Sequence, residues 1–174
     1  GTWTVTITDF NNCVFEDSVT ISEPTDIDAI LDVVNVSCHG DTTGSIDMTP
    51  SGGTGTHTFE WSTAETTEDI IDLGVGTYTV LITDANGCIA LKTANVIEPD
   101  VMSLDFDVTD VLCYGDTTGM IDMTVNGGTP GFTYLWSNTD TTLTIIDLGA
   151  AWYSVTVTDT NGCIVVDSTE VMQP

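Results

Sequence analysis

Thr77-Tyr78-Thr79-Val80-Leu81-Ile82-Thr83, followed by Asp84-Ala85-Asn86-Gly87-Cys88, is the stretch that decides the fold. Its first seven residues alternate polar and apolar with a period of two, the signature of a half-buried strand. Tyr78, Val80 and Ile82 are expected to face a core. The threonines, β-branched and polar, suit the wet face. Asn86-Gly87 then reads as a tight hairpin, because both residue types tolerate positive φ. A return strand is expected from Cys88 through Ile89 to Ile97, ending at Pro99.

The same stretch recurs on both sides. Thr2 to Thr8 and Trp152 to Thr158 keep the register, Asn161-Gly162 repeats the turn, and Asn11-Asn12 substitutes for it. Cys13, Cys88 and Cys163 stand 75 residues apart, as do Cys38 and Cys113, and Trp61 and Trp136. Residues 25–99 and 100–174 align without a gap and share 36 of 75 positions. This predicts two full repeats, 25–99 and 100–174, preceded by residues 1–24 as the C-terminal part of a truncated repeat. The chain is thus read as a window on a longer tandem array. Repetition supplies length, avidity or a continuous surface, and rarely catalysis.

Within one copy the remaining elements read as short strands. They span Ala29 to Val36, Ser45 to Thr49, Thr58 to Ser62, and Ile70 to Gly74, with Gly-rich turns between them. Six or seven strands in 75 residues, with no helical period, predict an all-β class: tandem immunoglobulin-like β-sandwiches stacked end to end. Trp61 and Trp136 are expected to fill the sandwich centres. The linkers Pro24-Thr25-Asp26 and Pro99-Asp100-Val101 are short and stiff rather than flexible tethers. Strands of this length imply an axial rise of roughly 35–45 Å per copy.

Twenty-seven acidic residues face one basic residue, Lys92, for a formal charge of −26. Nucleic acid is excluded as a partner, since phosphate binding needs clustered Lys and Arg. Membrane insertion is not expected either, as no stretch approaches the ~18–20 apolar residues of a spanning helix. The acid must be solvated, screened or neutralised by cations, which suits an extracellular setting.

Five cysteines at repeat positions read as a disulfide framework in an oxidising compartment. Two schemes fit. Within repeats, Cys38–Cys88 and Cys113–Cys163 would close, with Cys13 pairing upstream; between repeats, Cys13–Cys38 and Cys88–Cys113 would. The first is preferred, on the expectation that both turns of a six-stranded sandwich lie at one end.

No catalytic constellation stands out. His39 and His57 become Tyr114 and Phe132 in the next copy, and no carboxylate pair is marked by a cleft. An enzyme is not expected and no cofactor is required. Calcium is the inorganic candidate: Asp41, Asp47, Asp84 and Asn86 recur as Asp116, Asp122, Asp159 and Asn161, oxygen donors of the kind calcium takes. The competing reading is that these residues shape turns and solubilise the surface.

Together these residues resemble the SprB-repeat family of Bacteroidota surface and gliding-motility adhesins. The matching signature is Cys38-x-Gly40-x-x-x-Gly44-x-Ile46, then Gly52-Gly53-Thr54, Trp61-Ser62, Gly76-Thr77-Tyr78-Thr79-Val80, and Thr83-Asp84-x-Asn86-Gly87-Cys88 with a closing Pro99. The second copy carries the fuller Gly127-Gly128-Thr129-Pro130-Gly131; Gly55 replaces the proline in the first. The resemblance implies a secreted, cell-surface adhesin or filament without catalytic residues. It also implies O-glycosylation at Asp-Ser/Thr sites, with Ser18, Thr42, Thr117, Thr141 and Ser168 as candidates. Expected partners are neighbouring repeats of the same chain, other copies in a filament, and surface glycans. The rival function is an avidity-based array of glycan- or partner-binding modules, with calcium as its candidate ion.

Overall fold

A computed structural model describes residues 1–174, which form fourteen strands and no helix. β1 (Thr2–Thr8) and β2 (Val14–Thr20) make a two-stranded sheet. The first full copy contributes β3 (Asp28–Val34), β4 (Gly44–Ser51), β5 (Thr58–Trp61), β6 (Ile70–Leu73), β7 (Gly76–Thr83) and β8 (Ile89–Val96). The second contributes β9 (Ser103–Thr109), β10 (Gly119–Asn126), β11 (Thr133–Trp136), β12 (Thr144–Leu148), β13 (Ala151–Thr158) and β14 (Ile164–Val171).

Each full copy folds into two three-stranded sheets, β3-β4-β6 with β5-β7-β8, and β9-β10-β12 with β11-β13-β14. The observed count is therefore six strands per copy. Pairing is antiparallel, and β10 shifts register by a bulge between Gly119 and Ile121, as β4 does between Gly44 and Ile46. Contacts divide the chain into two compact units, residues 1–30, 48–68 and 79–92, and residues 31–47, 69–78 and 93–174. The second unit contains the whole second copy.

In that copy β14 packs across from β9 and β10, closing an immunoglobulin-like sandwich. Its core is Leu104, Val111, Ile121, Met123, Trp136, Ile145, Leu148, Val155, Val157 and Val171. Alternation puts them there: Val155 and Val157 lie on one face of β13 while the intervening residues face outward. Trp136 is 2% exposed, meets Phe106 edge-on at 6.1 Å, and donates its indole N–H to Thr142 O at 3.0 Å. The positions 75 residues earlier, Val36, Ile46, Met48, Trp61, Ile70, Leu73, Val80, Ile82 and Val96, are buried in the first copy. Both repeated tryptophans are thus core residues, as their register requires.

Trp136→Ala should cost the second copy about 4 kcal/mol, the range for removing a buried aromatic. That is most of the stability of so small a sandwich. A urea titration should show the second copy unfolding early while the first keeps its midpoint.

The β1–β2 hairpin keeps the register but lacks a facing sheet. Trp3 opposes Val19, Val5 opposes Asp17 and Ile7 opposes Phe15, and all of these are exposed.

Candidate functional site: the junction between copies

The hairpin loop ahead of each second cysteine is built by one aspartate. Asp159 Oδ1 accepts the N–H groups of Asn161 and Cys163, both at 2.9 Å, and Oδ2 accepts that of Thr129 at 2.9 Å. Asp84 does the same for Asn86, Cys88 and Thr54, and Asp9 for Asn11 and Cys13. The backbone closes with Gly162 N–H to Asp159 O at 3.1 Å and Asp159 N–H to Cys163 O at 3.0 Å. Only Gly162 has positive φ, at 85°. The expected two-residue Asn-Gly turn, with both residues at positive φ, is therefore corrected: a turn followed by one left-handed residue makes a G1-bulge loop. Asn12, at φ 65°, takes the glycine's place in the first hairpin, as a short polar side chain allows.

Burial alone would raise the Asp159 carboxyl. The N–H groups of Thr129, Cys163 and Asn161 together outweigh it and hold the carboxyl below the usual carboxylate range, and Asp84 is lowered by the same balance. A depressed folded-state pKa contributes stability above the unfolded value of about 3.9, lost as pH falls through the folded value. The melting temperature should therefore lose this contribution only below about pH 4. Asp159→Asn, which turns an acceptor into a donor facing Thr129 N–H, should melt lower at neutral pH and lose its share of the acid step.

The turn after β3 is tied to the exit of its own copy. Val36 N–H donates to Ile97 O at 3.0 Å, Gly40 N–H to Glu98 Oε2 at 2.7 Å, and His39 Nδ1 lies 3.2 Å from Pro99 O. Thr43 Oγ1 accepts Ser37 N–H at 2.8 Å, and Asp41 N–H returns to Cys38 O. The second copy repeats the design: Val111 N–H to Met172 O, Gly115 N–H to Gln173 Oε1 and Leu112 N–H to Thr118 Oγ1.

This placement overturns both within-repeat pairs. Cys113 belongs to a turn that bonds Gln173, past the end of β14, whereas Cys163 immediately precedes β14. Eight residues of strand, roughly 27 Å, separate the two ends. A disulfide needs Cα atoms within about 7 Å. Cys113–Cys163 is thus not formed, and neither is Cys38–Cys88, because Cys38 is bonded to Cys163 with Cα atoms 5.6 Å apart. The alternative Cys13–Cys38 and Cys88–Cys113 pairs do not form either; Cys13, Cys88 and Cys113 are exposed free thiols. The turn of one copy is bonded to the hairpin of the next.

Other groups reinforce the bridge. Asn161 Nδ2 donates to Ser37 O and to Thr129 Oγ1, both at 3.0 Å. Gly128 N–H donates to Asp100 O at 2.9 Å, clamping the linker onto the second copy. Gly127, at φ 69°, passes so close that an added Cβ would lie 2.1 Å from Val101 O. A groove beside the bridge is lined by His39, Asp41, Pro99, Asp100, Met102 and Asp159.

The proposed calcium ligands are not gathered into one set. Asp84 and Asp159 use their oxygens on hairpin amides, Asn161 reaches across the junction, and Asp122 accepts from Thr144 Oγ1 on the sheet. Asp41, Asp47 and Asp116 are exposed. No group of three or more His, Cys, Asp or Glu side chains converges as a metal site. The glycosylation candidates Ser18, Thr42, Thr117, Thr141 and Ser168 are all exposed; Thr42 and Thr117 sit in the cysteine turns. The hydroxyls of Thr43 and Thr118 and the carboxamide of Asn161 were not legible as junction groups, although their recurrence at 75 residues marked them.

The SprB repeat family model matches residues 30–66 and 106–141, one segment in each full copy. The resemblance read from the sequence is thus matched by one segment in each full copy. No curated protein matches it. Among solved structures, the amphioxus IgVJ-C2 molecule is 12% identical, over 84% of this chain and 96% of that one, with a TM-score of 0.35. Murine CEACAM1b is 14% identical, over 84% of this chain and all of that one, also with a TM-score of 0.35.

Proposed function

We propose that this chain is a structural, tension-carrying segment of a secreted bacterial cell-surface adhesin or filament, in which SprB repeats act as covalently joined spacers. The observation that carries the reading is the Cys38–Cys163 bridge, which ties one copy to the next rather than bracing either alone. Two further features support it. Both repeated tryptophans are buried in cores, so neither offers a stacking platform for a sugar. The one basic side chain, Lys92, pairs with Asp28.

In this reading the partners are neighbouring repeats and other copies of the protein. Exposed Thr42 and Thr117 are the preferred glycan acceptors. The reading needs no catalysis and no cofactor; any calcium would be taken by the exposed carboxylates rather than by Asp84 or Asp159.

Electron microscopy of native, unreduced material tests it. A long thin fibre with an axial repeat near 35–45 Å, the length of one such sandwich, is expected. Short flexible strings or isolated compact particles would instead favour an array of separate binding modules.

A further inference from the structure

The bridge uses one cysteine of each repeat class and leaves three others unpaired. Cys113 is the 75-residue translate of bonded Cys38, and Cys88 and Cys13 are translates of bonded Cys163. Their surroundings are translated as well. Asp116 N–H bonds Cys113 O as Asp41 N–H bonds Cys38 O, each at 3.1 Å. Gly115 and Gly40 have φ of 82° and 80°. Asp84 and Asp9 present Cys88 and Cys13 through the same pair of Oδ1 hydrogen bonds that presents Cys163. Asn86 occupies the place of Asn161, whose carboxamide crosses the junction.

We propose that Cys38–Cys163 is one rung of a ladder, in which the turn cysteine of each repeat bonds the hairpin cysteine of the following copy of the repeat. Cys113 then takes the hairpin cysteine of a further copy, and Cys88 and Cys13 take turn cysteines of others. The chemistry is the same whether that copy lies in the same polypeptide or in another chain. Each rung forms from two thiols, whose two electrons and two protons pass to an external disulfide that leaves as two thiols.

The ladder has a mechanical consequence. A hairpin cysteine and the next turn cysteine stand 25 positions apart along the residues that join them, as Cys88 and Cys113 do. Crossing each rung skips a long loop, so the shortest covalent path over two repeats is those residues plus one disulfide. At full extension they span about 90 Å. Two folded copies occupy roughly 70–90 Å. The array would have almost no slack to release under tension, even with its cores unfolded.

The test compares this chain with one carrying a third copy of residues 100–174 after Pro174, both oxidised in glutathione disulfide and mapped unreduced after cleavage at aspartate. In the extended chain Cys113 should be joined to the hairpin cysteine of the added copy, leaving about three free thiols of seven, whereas a single rung leaves about five. Retention of Cys38–Cys163 in the same map shows that the chain has folded. If the partner comes from another chain instead, the 174-residue protein itself will form oligomers that reductant dissolves and Cys113→Ser abolishes, which also supports the ladder. The proposal is overturned if Cys113 stays a free thiol in both proteins, or bonds a cysteine of its own repeat.

Discussion

Pulled by its ends, the oxidised chain should stop lengthening at roughly 175 Å, against roughly 610 Å after reduction. The reason is covalent topology. The bridge joins positions 125 apart, so force entering at Gly1 passes from Cys38 directly to Cys163. Only about 50 residues lie outside it, and each extends by about 3.5 Å at most. The residues between, including the core of the second copy, are shielded from the load. Single-molecule extension with and without reductant reads the difference directly, and Cys38→Ser should behave as the reduced chain does. Equal extension under both conditions would show that no bridge spans the junction.

Gly127→Ala should detach the linker from the second copy. Two effects coincide there. A φ of 69° costs an alanine on the order of 1–2 kcal/mol. The new methyl would also meet Val101 O at 2.1 Å, and that oxygen is backbone, so the linker itself must move. Its movement breaks Gly128 N–H to Asp100 O and disturbs Thr129, which holds Asp159 Oδ2. The variant should lose at least about 3 kcal/mol in a denaturant titration. It should also form Cys38–Cys163 more slowly, because Asp159 presents Cys163. A variant as stable as the parent would mean that the Gly-Gly turn does not clamp the linker.

Much of this molecule is legible in its sequence because the physics involved is local. Alternation in Tyr78, Val80 and Ile82 fixes which face is buried, and the structure buries Val80 and Ile82 completely. The 75-residue spacing of Trp61 and Trp136 marks equivalent core positions, since only the core keeps so large an apolar side chain in register. The SprB resemblance holds in both copies.

The disulfide was not legible, because it depends on where strand ends lie in space. The within-repeat scheme rests on both cysteine turns lying at one end of a six-stranded sandwich. β3, however, carries the Cys38 turn to residues 97–99 at the exit of its copy, past the far end of β8 from Cys88. Cys38 thereby faces the next copy and not its own hairpin. The role of Asp84 and Asp159 was hidden for a related reason. An aspartate before Asn-Gly reads equally as a cation ligand or a turn former, and only the convergence of three amide N–H groups on its oxygens separates the two.

An unreduced peptide map of the 174-residue chain tests the covalent junction most directly. Cleavage at aspartate, of which the sequence has many, separates the five cysteines. A linked pair containing Cys38 and Cys163 is the expected result. Linked pairs of Cys38 with Cys88 and of Cys113 with Cys163 would contradict it, returning each bridge to the inside of a single repeat.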